Sequence, residues 1–146
     1  MSKHFDLEEF ANNTFDNVPD DINLPPGEYM FEVLRARVDA TEKDEPSGFI
    51  ELTMRPVGVL GGDLSEDMLS SVYPVKDRLY LTDAARKFTK RTLTKGFNLD
   101  LEGKSYLQIA EELIGASVKG ITKLEAYKTR AGEERQQVKV VKYQAA

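Results

Sequence analysis

The order of strand-like and helix-like segments is the feature of this sequence that most constrains its fold. Apolar and polar residues alternate through 49–55, so Ile50, Leu52 and Met54 share one face, which is the period of a β-strand. Segments rich in β-branched and aromatic residues predict further strands over 29–38, 68–81, 117–129 and 135–143. N-cap residues followed by apolar residues at helical spacing predict helices over 84–95 and between Ser105 and Gly115. The predicted order is therefore three strands, a helical insertion and two strands.

The first predicted strand changes its apolar face midway. Its apolar residues are odd-numbered in the first half and even-numbered in the second: Tyr29, Phe31 and Val33, then Leu34, Ala36 and Val38. Such a switch requires a bend or a bulge, as in small barrels. Together with the strand order, it favours a mainly β fold, an OB-like (oligonucleotide/oligosaccharide-binding) barrel over residues 27–146. Another small β-rich α+β fold is the alternative.

Residues 1–26 are predicted to form an acidic N-terminal arm. They hold six acidic residues against the single cation Lys3, and several turn-forming residues. A short helical turn around 6–11 is expected to pack on the body or on a partner through the apolar residues Phe5, Leu7, Phe10 and Phe15. An autoinhibitory, a structural and a partner-recruiting role for this arm all stay open.

Composition argues against most enzymatic and metal sites. The 146 residues fit one domain, there is no cysteine, and His4 is the only histidine. Thiolate ligands, a cysteine nucleophile and multi-histidine metal sites are thereby excluded. No apolar run reaches ~18 residues, and the N-terminus does not resemble a signal peptide. We therefore expect a cytoplasmic, non-enzymatic protein without a cofactor.

Binding to single-stranded nucleic acid fits the sequence better. The net charge is −5, yet residues 76–95 carry seven cations against two acids, and residues 115–143 seven against three. Cations that track the backbone and rings that stack on bases are what such a ligand needs. The candidate residues are predicted on the first three strands and the two loops that frame an OB ligand face: Arg35, Arg37, Lys43, Phe49, Arg55, Tyr73, Lys76, Arg78, Tyr80, Tyr127, Lys128, Arg130 and Arg135.

The helix predicted over 84–95 carries a cluster of four cations: Arg86, Lys87, Lys90 and Arg91. They form two like-charged i,i+4 pairs, which disfavour an isolated helix slightly. Phosphate binding, contact with the acidic arm and simple solvation are alternative roles. Gly96 is predicted to end the helix in a left-handed conformation.

Three segments resemble a known family. Residues 25–33 (Pro-Pro-Gly-Glu-Tyr-Met-Phe-Glu-Val) resemble the start of the first strand in small bacteriophage-encoded OB-type single-stranded-DNA-binding proteins. Residues 110–120, with Leu113-Ile114-Gly115 before a basic strand, are similar to an internal passage of that family, and 137–143 to its last strand. The likeness covers about 25–143.

The resemblance implies a non-sequence-specific single-stranded-DNA-binding protein acting in DNA replication or recombination, in the host cytoplasm if phage-encoded. RNA is an alternative ligand, and the acidic arm would recruit a replication or recombination protein. The acidic tail in many single-strand binders is C-terminal, whereas here the acids are N-terminal. The rival hypothesis is a protein-interaction module, or a virion-associated β-barrel adaptor, whose acidic arm docks a partner.

Overall fold

The computed structural model describes residues 5–16 and 20–146. Its helices are α1 (Leu7–Ala11), α2 (Arg86–Arg91), which continues as a π-helical turn over Thr92–Gly96, and α3 (Tyr106–Leu113). A 3-10 helix spans Glu66–Ser71. Its strands are β1 (Gly27–Ala40), β2 (Gly48–Gly62), β3 (Val75–Tyr80), β4 (Ser117–Lys128) and β5 (Glu134–Ala145). This confirms the predicted mainly β fold and the order of three strands, helices and two strands.

The five strands form one antiparallel sheet in the order β3-β2-β1-β4-β5. The sheet is open, because no ladder joins β3 to β5. Side chains nevertheless join these edge strands, since the Tyr143 hydroxyl on β5 donates a hydrogen bond to the Asp77 carboxylate on β3. Burial raises the pKa of the Asp77 carboxyl, and the bond from Tyr143 offsets only part of this. The edges of the sheet therefore meet at a half-buried polar contact.

The predicted face switch in β1 is confirmed. The register with β2 shifts between Val33 and Arg35, so Leu34 has no partner in the ladder. Beyond the shift Ala36 lies opposite Leu52. The extra residue is a β-bulge, which rotates the second half of the strand. Of the three residues expected on the second apolar face, only Ala36 packs against the core, since Leu34 and Val38 are each 41% exposed.

The core lies between the inner face of the sheet and the helical segment. Strand residues such as Phe31, Leu52 and Val118 meet Leu93 after α2 and Leu113 of α3. The predicted start of α3 is confirmed by a capping box, in which the Ser105 and Gln108 side chains each accept from the other's backbone N–H. Gly115, at φ 85°, ends the helix, and its N–H donates to the Val33 carbonyl at 2.8 Å. This bond anchors α3 beside the bulge.

Two predicted strand boundaries and one predicted glycine conformation differ clearly from the structure. The third strand begins only at Val75, because Pro74 separates it from the 3-10 helix. β2 continues through its glycines to Gly62. Gly96 is not left-handed. It packs on β5 instead, where a Cβ at this position would lie 2.8 Å from the Cβ of Tyr143. The absent side chain lets the π-helical turn approach the strand.

The predicted arm divides into two parts. None of the residues of α1 is buried, and the Asp6 side chain accepts hydrogen bonds from the backbone N–H groups of Glu8 and Glu9. By contrast, Ile22 forms a parallel bridge with Val72, and Leu24 is in the core. The second part of the arm therefore belongs structurally to the body. Among the described residues, no helix has the length and apolar character needed to cross a bilayer.

Candidate nucleic-acid interface

Seven of the thirteen predicted site residues lie on one surface. This surface, here called the outer face, is the side of β1, β2 and β3 turned away from the core. Cross-strand pairing arranges it in three rows: Arg35, Thr53 and Lys76 form the open row, Arg37, Glu51 and Arg78 the central row, and Asp39, Phe49 and Tyr80 the aromatic row. Because side chains alternate along each strand, members of a row share one face.

The central row is an ion-paired triad. Arg37 donates through Nη2 to Glu51 Oε1 at 3.0 Å, and Arg78 donates through Nε to Glu51 Oε2 at 3.2 Å. Arg37 also pairs with Asp39. Burial raises the pKa of the Glu51 carboxyl, but the two guanidinium hydrogen bonds outweigh it, so the pKa lies below its ordinary value. Glu51 therefore stays ionised and holds both arginines.

The aromatic row is packed, and this corrects one expectation. Phe49 lies on the outer face as predicted, but it is only 1% exposed and cannot stack on a base. The guanidinium carbon of Arg78 lies 4.3 Å from the centroid of its ring, and the Tyr80 ring meets it edge-to-face at 5.8 Å. Tyr80 is 38% exposed and is the accessible ring of the row.

The open row differs from the other two in its charge. Arg35 and Lys76 are exposed and make no ion pair among the described residues. Thr53 between them is half-buried and uncharged. Arg55, on the same face, lies 3.6 Å from Glu32. The open row is thus the part of the outer face with uncompensated positive charge.

The other predicted site residues lie away from the rows. Lys43 is exposed in the β1–β2 loop, and Tyr73 precedes β3, where its backbone N–H donates to Ile22. β4 pairs with β1 only over 117–122, so the β4–β5 hairpin extends past the start of β1. This hairpin carries the remaining four predicted site residues: Tyr127, Lys128, Arg130 and Arg135. Arg135 pairs with Glu133 at 3.1 Å. Among the described residues, neither a hydrogen bond nor an ion pair joins these four side chains to the outer face.

A cleft of about 650 Å³ lies between β3 and β5 and continues from the outer face. We call it the β3–β5 cleft. Arg78 and Tyr80 line one side, and Phe88 and Arg91 of α2 and Lys139 of β5 line the others. The Thr89 hydroxyl donates to the Tyr80 carbonyl at 2.7 Å and fixes α2 at the end of β3. Phe88 and Lys139 were not among the predicted site residues, since only the packing of α2 and β5 brings them to β3.

Within residues 5–16 and 20–146, no cluster of three or more acidic or histidine side chains suits a metal ion. No protein-family model matches the chain, and no curated protein matches it. The resemblance to phage single-stranded-DNA-binding proteins therefore depends on the sequence motifs alone.

Proposed function

We propose that this chain is a non-enzymatic, non-sequence-specific single-stranded-DNA-binding protein of the phage type, with RNA as an alternative ligand, acting in replication or recombination. The open row carries the proposal. Since adjacent strands lie about 4.8 Å apart, Arg35 and Lys76 leave the sheet about 10 Å apart, with neutral Thr53 between them. Two uncompensated cations on one face suit the phosphates of a flexible single strand.

An OB-like barrel is the finer fold that we propose. The order β3-β2-β1-β4-β5 becomes the cyclic order of that barrel when β5 lies beside β3, where Tyr143 meets Asp77. OB barrels are partly open and bind oligonucleotides across strands two and three. The open row crosses those two strands of this chain, which supports the assignment of the ligand face.

The β3–β5 cleft extends the proposed path. Tyr80 borders both the outer face and the cleft, and Phe88 is 63% exposed beside it. A single strand of nucleic acid that crosses Lys76 can therefore place bases on Tyr80 and Phe88, with phosphates near Arg91. Base–aromatic stacking contributes about 1–3 kcal/mol per base.

The test is fluorescence polarisation with labelled oligo-dT, and with a duplex of equal length, at a series of salt concentrations. We expect the single strand to bind more tightly, with log K falling against log salt with a slope of about −3 to −4 for ~4–6 phosphates. Absence of binding at low salt would reject the proposal.

The rival function, a protein-interaction module or virion-associated adaptor, is favoured by one observation. The apolar residues Phe5, Leu7 and Phe10 of the arm are 70%, 68% and 58% exposed. A chain that binds no nucleic acid at low salt but captures a partner through this arm would be an adaptor.

A further inference from the structure

A second groove lies between α2 and α3, separate from the outer face. This α2–α3 groove has a volume of about 430 Å³, within the ~300–1,000 Å³ range typical of binding sites. Its floor is apolar, with Leu81, Leu93, Leu101 and Ile109, and Tyr106 stands at its side. Such a floor is suited to an apolar occupant.

The rim of this groove is basic. Arg86, Lys87 and Lys90 of α2 line it, together with Lys104 and one acidic residue, Asp83. Lys104 is paired with Glu112 at 2.9 Å, whereas the three α2 cations make no ion pair among the described residues. α2 thus divides its cations, because Arg91 turns to the β3–β5 cleft instead. The groove combines an apolar floor with uncompensated positive charge.

The N-terminal arm has the complementary character. Residues 5–16 contain four acidic residues and no cation. The centroids of the Phe5 and Phe10 rings lie 5.3 Å apart, and the two rings form one exposed apolar cluster. Glu8 and Glu9 follow the Asp6 cap on the same helix. Apolar anchors flanked by carboxylates match the floor and rim of the groove.

We infer that the α2–α3 groove binds the arm of a second copy of this chain. In the structure the arm does not occupy the groove of its own copy, because no residue of α1 is buried and none lines the groove. The groove and the arm of each copy are therefore both available to a second copy. If each copy gives its arm to the other, the contact is the same in both directions and closes as a two-fold dimer.

The outer face is a poorer site for the arm. Its buried ring, Phe49, is already covered by Arg78 and Tyr80, so it offers no apolar floor. Docking in the α2–α3 groove would leave the open row free. The exchange is therefore independent of the proposed DNA binding, and it is tested with no nucleic acid present.

The test uses the full chain in light scattering and sedimentation over a range of protein concentrations. We expect the wild type to reach twice the 16.4 kDa monomer mass. Lys87→Glu with Lys90→Glu, or Glu8→Lys with Glu9→Lys, should each raise the dimer dissociation constant about tenfold or more, because each places like charges together. Combining all four substitutions should restore the dimer.

Two further variants keep the test decisive. Arg91→Glu with Lys95→Glu changes the cleft side of the same helical segment and should leave the dimer intact. Phe10→Ser removes the apolar anchor without touching the core and should also give monomers. The proposed arm exchange would be overturned by a monomeric wild type or by a dimer that persists in both charge-reversal double variants. It would also be overturned if the variant with all four substitutions failed to dimerise.

Discussion

The open row and the central row lie side by side on the same three strands, and each places a cation on β1 and another on β3. They differ in the residue between those cations, which is Thr53 in one and Glu51 in the other. Glu51 is 8% exposed and binds both arginines, whereas Arg35 and Lys76 have no described ion-pair partner. One residue therefore decides whether two cations stabilise the fold or remain available to a ligand.

The largest effect on stability is expected from a substitution in the aromatic row. Phe49→Ala removes a buried ring beneath Arg78 and Tyr80 and should lower the free energy of unfolding by about 3 kcal/mol. Denaturant unfolding measures this. Tyr73→Ala, at a ring that is 51% exposed, is the control and should change stability by less than about 0.5 kcal/mol. Equal, small effects would show that Phe49 is not packed as described.

Glu51→Gln tests the central row. The neutral amide weakens two hydrogen bonds to guanidinium groups, and we expect a loss of about 1–2 kcal/mol in the free energy of unfolding. It also releases positive charge, so oligo-dT binding should tighten severalfold at low salt. Weaker binding with unchanged stability would mean that Glu51 does not restrain the arginines.

Thr53→Glu is the opposite substitution, because it places a carboxylate between the two cations of the open row, as Glu51 does in the central row. The new carboxylate lies opposite Arg35 and Lys76, and it should weaken oligo-dT binding about tenfold in polarisation titrations. Stability should change by no more than about 0.5 kcal/mol, because Arg35 and Lys76 are exposed and ion pairs with exposed partners contribute little. Thr53→Gln is the uncharged control. If Gln weakens binding as much as Glu does, bulk rather than charge would explain the loss.

The sequence predicts these rows only in part. Period-2 alternation correctly assigns Ile50 to the inner face and Phe49 to the outer face, and the change of apolar parity predicts the bulge in β1. Alternation within one strand shows which side chains share a face, but it does not distinguish registers that differ by two residues. The meeting of Arg37, Glu51 and Arg78, and the burial of Phe49, follow from that register. The place of Phe88 depends further on how α2 packs.

The pH dependence of the central row provides a further test of the ion-paired triad. The pKa of Glu51 in the folded protein lies below its ordinary value of 4.5, so its stabilisation is present above that value. It is lost as the pH falls through the folded-state pKa. The stability difference between the wild type and Glu51→Gln should therefore be complete at pH 7 and vanish in acid, as thermal unfolding would measure. A difference independent of pH would contradict the ion-paired triad.

The salt dependence of oligo-dT binding tests most directly the claim that the open row binds nucleic-acid phosphates. Each phosphate contact on a single strand contributes about −0.7 to the slope of log K against log salt. Arg35→Ala with Lys76→Ala should therefore make the slope about 1.4 less negative than that of the wild type. Lys119→Ala with Lys123→Ala on β4 is the matched control and should leave the slope unchanged. An unchanged slope in the Arg35/Lys76 variant, or an equal change in the control, would contradict the account.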